Sequence, residues 1–321
     1  MARGSLSRVA RVLVAGSGGL VGSAVVRALR GAGFSDVVGA RSAQVDLRDA
    51  VAAREFVGSV APVAVVDAAA RVGGIAANAA RPVEFLHDNL RIQANLLDAS
   101  AAAGVERLLF LGSSCIYPKF AEQPIREDSL LTGPLEETND AYAVAKIAGI
   151  MGVQAYRREY GARWVSAMPT NLYGPGDNFD LESSHVLPAL IRKFHEATVR
   201  GDFRVTVWGT GTPRREFLHT DDLAAACVHL LDVYDDAAPI NVGTGEDVTI
   251  AELASLVAAT VGFSGEIVYD TSRPDGTPRK VLDVSRIAAT GWKPRIGLTE
   301  GLASTYQWYL EHHVSREGAG S

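Results

Sequence analysis

The chain has 321 residues, of which 47% are hydrophobic and 21% charged, proportions typical of a globular protein that can bury a sizeable core. Its formal net charge of -6 argues against a non-specific nucleic-acid partner or an anionic-membrane partner, because both need a cationic excess. With two cysteines, no predicted metal site and no uninterrupted apolar run of about 18 residues, the sequence favours a cytoplasmic protein.

Short apolar runs alternate with longer helical patterns through the first half of the chain. The runs cover residues 11–15, 36–40, 62–68, 108–112 and 164–168. Such alternation indicates βαβ units and a parallel sheet. Because the runs are almost entirely apolar, helices should cover both faces of that sheet. The predicted fold class is therefore α/β, with a doubly wound parallel sheet of the Rossmann type.

A glycine-rich turn follows the first run. Gly16, Gly19 and Gly22 recur at three-residue spacing and open a helix that begins with Leu20 and Val21. Glycines allow the backbone to approach a pyrophosphate closely, and the free N–H groups of the helix N-terminus meet its charge. This turn predicts dinucleotide binding, with an ordinary glycine turn as the alternative.

The end of the second run bears on the choice of dinucleotide. NAD-binding proteins usually place a carboxylate there for the ribose hydroxyls, whereas NADP-binding proteins tend to place an arginine near the added phosphate. Here the run ends in Gly39-Ala40-Arg41-Ser42. Arg41 therefore favours NADP, with NAD left open, and Asp46 is expected on the adenine side.

Three residues predict carbonyl reduction. Ser113 closes the fourth apolar run, and Tyr142 and Lys146 lie four residues apart on one face of a predicted helix. Lys146 is expected to lower the pKa of the phenol from its reference of ~10 and to hold the nicotinamide ribose. Tyr142 would then donate a proton to a carbonyl oxygen, to which Ser113 could also hydrogen-bond. The alternative for Ser113 is a strand-end cap.

The sequence changes in character after Pro169. Glycine- and proline-containing breaks divide the second half into short elements, with helices predicted around residues 186–197 and 223–232. We expect residues 8–170 to form a dinucleotide-binding domain on which residues 212–243 pack back. Residues 171–211 and 244–315 should form a second, smaller α/β domain that binds substrate.

These features together resemble the extended short-chain dehydrogenase/reductases, and longer motifs narrow the resemblance to the GDP-L-fucose synthases. The motifs are LGSSCIYPK at 111–119, YAVAKIAGI at 142–150, MPTNLYGP at 168–175, SHV at 184–186, WG at 208–209, REFLH at 215–219 and PDGTPRK at 274–280. The resemblance implies NADPH-dependent 3,5-epimerisation and 4-keto reduction of GDP-4-keto-6-deoxy-D-mannose. It also implies a homodimer formed through helices near residues 81–103 and 140–160.

The epimerisation needs two further groups. Inverting a carbon beside a ketone requires a base that removes its proton and an acid that returns one on the opposite face. A thiolate of lowered pKa and a histidine suit that exchange. Taken alone, Cys115 is more often a core residue and His185 a surface or capping residue. The resemblance assigns Cys115 as the base and His185 as the acid, with Ser113 and Tyr142 at the enolate oxygen.

The resemblance also supplies binding residues. Pro169, Asn171 and Leu172 would contact the cofactor. The substrate phosphates and sugar would contact Lys193, Trp208, Arg215, Asp275 and Lys280. The alternatives are a helix-surface lysine, a core tryptophan, solvated loop charges and, for Asp275, a Pro-Asp-Gly turn.

Three positions depart from the family pattern. Gly18 and Ser42 stand where the family often carries arginines associated with the NADP phosphate, and Lys193 stands where arginine is usual. These departures leave open the choice between NADP and NAD and between GDP and dTDP sugars. One alternative function is 4-keto reduction alone, on a dTDP- or GDP-linked 4-keto-6-deoxyhexose of secondary metabolism. Another is a non-catalytic dinucleotide-binding scaffold, although that would predict damage to the Ser-Tyr-Lys set.

Overall fold

A computed structural model describes residues 5–273 and 275–314 of the chain. Pro274, the first residue of the PDGTPRK motif, and residue 315, the predicted end of the substrate-binding domain, lie outside the described residues.

The described strands confirm the predicted parallel sheet. They are β1 (Val12–Ala15), β2 (Val37–Ala40), β3 (Ala64–Asp67), β4 (Arg107–Leu111), β5 (Arg163–Pro169), β6 (Asn171–Tyr173), β7 (Arg204–Trp208), β8 (Arg214–Arg215), β9 (Phe217–His219), β10 (Ile240–Val242), β11 (Val248–Thr249), β12 (Glu266–Asp270) and β13 (Arg279–Lys280). Within the described residues, six strands form one sheet in the order β10-β5-β4-β3-β1-β2, and every neighbouring pair is parallel. The five predicted strands all lie in this sheet.

Helices connect these strands. They are α1 (Leu20–Gly31), α2 (Ala50–Val60), α3 (Ile75–Ala80), α4 (Pro82–Ala102), α5 (Asp140–Tyr160), α6 (Val186–Arg200), α7 (Thr220–Val233), α8 (Ile250–Val261), α9 (Ser285–Ala289) and α10 (Leu298–Tyr309). Helix ends follow ordinary capping chemistry: Asp49 accepts the backbone N–H groups of Val51 and Ala52 ahead of α2, and α5 ends at Gly161 with φ of 67°. No helix in the described ranges is long and apolar enough to cross a membrane.

Both faces of the sheet are buried, as the apolar runs predicted. Val12 and Val14 of β1 pack with α1 and α7 on one side, whereas Leu13 and Ala15 pack with α2, α4 and α5 on the other. Successive side chains of a strand point to opposite faces, so a strand covered on both sides must be apolar throughout. The doubly wound class is therefore confirmed.

The second half of the chain builds a smaller α/β region beside this sheet. Its strands pair as β12 with β7 and as β11-β8-β13, and α6, α8 and α10 bury a separate apolar core against β7. The segment β9-α7-β10 returns to the large sheet, where β10 pairs with β5. The domain boundaries given above stay a prediction.

Candidate active site

The candidate site lies at the carboxyl edge of the large sheet. Parallel strands end on the same side, so β1, β3, β4 and β5 deliver Gly16, Asp67, Ser113 and Pro169 to one edge. Ligands of open α/β sheets bind at this edge. The two halves of the chain also meet there, because β6 follows β5 directly and pairs with β9.

The glycine turn leaves no room for a side chain at Gly16 or Gly22. Gly16 has φ of +78°, and a Cβ on it would lie 2.7 Å from the Ala68 carbonyl oxygen. A Cβ on Gly22 would lie 2.1 Å from the Gly16 oxygen. Gly19 begins α1 without a side-chain cap, so the first-turn N–H groups, including those of Leu20 and Val21, are available to an anion. The turn fits a pyrophosphate.

Arg41 lies beside this turn. A Cβ on Gly18 would meet the Arg41 Cγ at 3.4 Å, so the stem of Arg41 lies along the glycine. Its guanidinium is exposed, and no hydrogen bond or ion pair engages it within the described ranges. The carboxylate of Asp46, by contrast, accepts two hydrogen bonds of 2.9 Å from Arg48, which hold its pKa at about 2. The adenine-side role of Asp46 stays a prediction.

Lys146 is buried at 3% exposure beneath the sheet edge. Its Nζ donates to the Leu111 carbonyl oxygen at 2.8 Å and lies 4.8 Å from the centre of the Phe110 ring. Burial lowers the pKa of Lys146, and the charge of Asp67 opposes that shift.

Tyr142 differs from the expectation in one respect. Burial, and then the negative charge of Cys115, raise the pKa of Tyr142, while a hydrogen bond from Ser113 acts in the opposite direction. The expected net lowering of this pKa is therefore not found, because helical spacing gives no measure of desolvation. Lys146 bonds to Leu111 in the structure, and its stabilisation of the phenolate stays a prediction. Tyr142 is therefore a neutral phenol, the form that donates a proton.

Cys115 lies on a short turn directly after Ser113, whose Oγ accepts the Cys115 backbone N–H at 3.2 Å. The Nζ of Lys280 donates to the Cys115 Sγ at 3.4 Å. Burial disfavours the thiolate, but the charge of Lys280 and hydrogen bonds from Ser113, Lys280 and Asn139 outweigh it, so the pKa of Cys115 is lowered. The structure thus shows Lys280 at the thiol, while its predicted contact with substrate stays a prediction.

His185 enters the same region from the other half of the chain. It immediately precedes α6, and the loop before it is fixed because the Gly74 N–H donates to the Ser183 carbonyl oxygen at 2.9 Å. His185 is exposed at the surface, but protein atoms around its imidazole desolvate the ring, and this desolvation, followed by the positive charge of Lys280, lowers its pKa. Lys280 therefore acts electrostatically on both Cys115 and His185, while the roles of these two residues as base and acid stay predictions.

A basic, partly open surface adjoins these groups. Trp208 is 56% exposed rather than a core residue, and Lys193 and Arg273 lie 5.1 Å and 4.9 Å from its ring centre. Arg215 is half-buried; burial lowers its pKa, and the negative charges of Cys115, Glu136 and Asp275 oppose that shift. Cations beside an exposed aromatic face suit a nucleotide diphosphate.

Two other residues predicted to contact ligands, Asp275 and Asn171, form hydrogen bonds with groups of the protein itself. Both carboxylate oxygens of Asp275 accept from Thr210, at 2.7 Å from its N–H and 2.9 Å from its hydroxyl, so Asp275 joins two loops. The Asn171 amide donates to the Glu216 carbonyl oxygen at 2.8 Å, which fixes β6 with Leu172 just beyond Pro169. Contacts of Asp275 with substrate and of Pro169, Asn171 and Leu172 with cofactor stay predictions.

Sequence reasoning missed two polar residues of this region. Asn139 stands at the N-cap of α5 but makes no side-chain cap bond. Its side-chain amide instead hydrogen-bonds to Cys115 and helps to lower the pKa of the thiol. Glu136 pairs with Lys119 at 3.1 Å and accepts from Thr277 at 3.3 Å. An asparagine before a helix is normally interpreted as a cap, and Glu136 lies in a loop without periodicity, so neither carried a signal.

Comparisons with known proteins identify the family of the chain. The family model described as the NAD dependent epimerase/dehydratase family matches residues 12–243. The chain is 57% identical over 306 residues to a probable GDP-L-fucose synthase 1 of Oryza sativa subsp. japonica, a match spanning 95% of this chain and 93% of the relative.

Two solved structures are similar over nearly their whole length. A GDP-L-fucose synthetase from Naegleria fowleri bound to NADP is 30% identical with a TM-score of 0.88, covering 97% of each chain. A GDP-6-OMe-4-keto-L-xylo-heptose reductase from C. jejuni is 35% identical with a TM-score of 0.89, covering 97% of this chain and 100% of the other.

Proposed function

The chain belongs to the NAD-dependent epimerase/dehydratase family and groups with the GDP-L-fucose synthases, and from this premise we propose that it converts GDP-4-keto-6-deoxy-D-mannose to GDP-L-fucose. It is an NADPH-dependent enzyme that epimerises and reduces a GDP-linked sugar. The observation that supports the two-step reaction is the Cys115–Lys280 contact, together with the effect of the Lys280 charge on His185, because reduction alone needs no such base and acid.

The glycine turn and Arg41 would hold NADPH. Side chains are excluded at Gly16 and Gly22, and the Arg41 guanidinium beside Gly18 suits the phosphate that distinguishes NADP from NAD. Lys146 would hold the nicotinamide ribose. When bound, the reduced nicotinamide supplies the hydride that C4 of the sugar accepts.

Epimerisation requires proton transfer at C3 and C5. The Cys115 thiolate takes the proton from carbon, and the electron pair of the broken C–H bond moves toward the C4 oxygen as an enolate. Ser113 and Tyr142 donate hydrogen bonds to that oxygen. His185 returns a proton to the opposite face of the carbon. One proton leaves and one arrives, so the sugar keeps its composition and inverts its configuration.

Reduction uses the same oxygen. As C4 gains hydride, negative charge develops on its oxygen, and the neutral Tyr142 phenol transfers its proton there. Lys146, held by Leu111, keeps a positive charge beneath the phenolate that remains. Trp208, Lys193 and Arg215 would bind the GDP portion.

A second candidate, 4-keto reduction without epimerisation, is favoured by the likeness to the C. jejuni reductase. The two functions differ in proton exchange. In deuterated water without NADPH, our proposal expects exchange at C3 and C5 of the substrate. Cys115→Ser should abolish that exchange and leave NADPH binding intact, whereas Cys227→Ala, at the buried second thiol, should change neither. Undiminished exchange by Cys115→Ser would overturn the base assignment.

Three further expectations form part of the proposal. Residues 8–170 with 212–243 bind the dinucleotide, and residues 171–211 with 244–315 bind the sugar. Two chains pair through α4 and α5, which pack together and expose Val83, Val144 and Met151. A reducing cytoplasm suits the protein, because Cys115 must stay a free thiol to act as a base.

A further inference from the structure

A buried carboxyl that the mechanism above does not use lies at the end of β3. Asp67 is 0% exposed. Its Oδ1 accepts the Ala69 N–H at 3.1 Å, and its Oδ2 has no hydrogen-bond partner among the described residues. A half-satisfied buried carboxyl is costly unless a positive charge compensates for it. A compensating positive charge should therefore act on Asp67.

The cationic group whose charge acts on Asp67 is Lys146, the lysine of the reduction site. Asp67 pairs in register with Phe110 of β4 and Ala15 of β1. Lys146 lies over the ring of that same Phe110 and donates to the next residue, Leu111. The two charged groups form no direct ion pair in the described structure, but both adjoin Phe110, and the charge of each acts on the other.

Other charged groups around β3 are engaged elsewhere. β1 carries none. On β4, Arg107 lies at the opposite end of the strand and donates to the Tyr234 carbonyl oxygen. On α4, Asp88 pairs with Arg48 and Arg71. On α5, Tyr142 is neutral. Among the described residues, Lys146 is thus the one charged group shown to act on Asp67.

We propose that Asp67 is a positioning residue that supplies the counter-charge of Lys146 and so keeps the ammonium protonated in its buried site. This inference rests on the proposed function, in which Lys146 holds the nicotinamide ribose and stabilises the Tyr142 phenolate. Burial alone would release the lysine proton at a lower pH, and a carboxylate across one aromatic ring opposes that release. Asp67 thereby sets the upper pH limit of the reduction.

Asp67→Asn tests the proposal, because it keeps the shape and removes the charge. The basic limb of the kcat profile for NADPH-dependent reduction should move to lower pH by about one unit, with KM for the sugar unchanged. Asp128→Asn is the matched control: that carboxylate is exposed and pairs with Arg126, so the profile should not move. A basic limb that coincides with wild type would overturn the proposal.

A second readout separates this inference from the proposed function. NADPH affinity, followed by fluorescence across the same pH range, needs no sugar and reports the charge of Lys146 at the ribose. Asp67→Asn should lose affinity about one pH unit earlier than wild type, even if the wild type fails to reduce the GDP sugar. Superimposable affinity profiles would refute the role of Asp67. If Asp67→Asn folds poorly, Asp67→Leu, which fills the site with apolar atoms, takes its place in the test. Its affinity profile should shift to lower pH by the same amount.

Discussion

Replacing Lys280 by methionine should raise the pKa of the Cys115 thiol and suppress the epimerisation. The Nζ and Sγ atoms are 3.4 Å apart. Two unit charges at that distance attract by about 5 kcal/mol at an effective dielectric constant of about 20. Because Lys280 is only half-buried, solvent screening should reduce this to about 2 to 3 kcal/mol, which corresponds to about two pKa units.

The sign of the pH effect follows from the direction of the shift. Lys280 lowers the pKa of Cys115, so its loss lets burial raise that pKa and leaves less thiolate near neutrality. Solvent-deuterium exchange at C3, followed by NMR without NADPH, should fall by roughly 30- to 100-fold at neutral pH and recover as the pH rises. NADPH affinity should stay unchanged.

Two variants serve as controls. Lys280→Arg keeps the charge and should retain most of the exchange. Arg279→Met removes the neighbouring charge, which pairs with Asp247, and should leave the profile in place. If Lys280→Met exchanged deuterium with the wild-type rate and pH profile, the electrostatic account of Cys115 would be refuted.

Three other outcomes are expected. Arg41→Ala should weaken NADPH binding by about 10- to 100-fold and NADH binding far less, as measured by fluorescence titration; equal losses would contradict the assignment to the added phosphate. Gly22→Ala should abolish dinucleotide binding, because its Cβ would lie 2.1 Å from the Gly16 oxygen, and calorimetric detection of wild-type affinity would contradict this. Burial raises the pKa of Asp67 from 3.8 to about 6, so the folded state binds more protons and loses stability as the pH rises between these values. In chemical denaturation, the free energy of unfolding of Asp67→Asn should rise relative to that of the wild type by up to about 3 kcal/mol across that pH interval. A difference between the two proteins that does not change with pH would contradict this expectation.

Local patterns were enough to predict the large sheet and the cofactor edge. Continuous apolar runs located its first five strands, and the glycine spacing located the turn at Gly16 because both depend on neighbours in the chain. The helix carrying Tyr142 and Lys146 was predicted for the same reason. The effect of burial on the site was not predicted: the pKa of Tyr142 is raised, because desolvation depends on the assembled fold.

Contacts between distant segments lay beyond sequence reasoning. Lys280 reaches Cys115 across 165 positions, because β13 pairs with β8 in a register that places Lys280 beside Arg215. No periodicity encodes the register of a two-residue strand. The resemblance identified both residues as belonging to the site, and the structure added the contact that lowers the pKa of the thiol.

The most direct test of the central claim is turnover of GDP-4-keto-6-deoxy-D-mannose with NADPH in deuterated water, with the product analysed by mass spectrometry and NMR. We expect the product to carry one deuterium at C3, one at C5 and a reduced C4 in the fuco configuration. Reduction at C4 without deuterium at either carbon would contradict it, since the chain would then be a reductase alone.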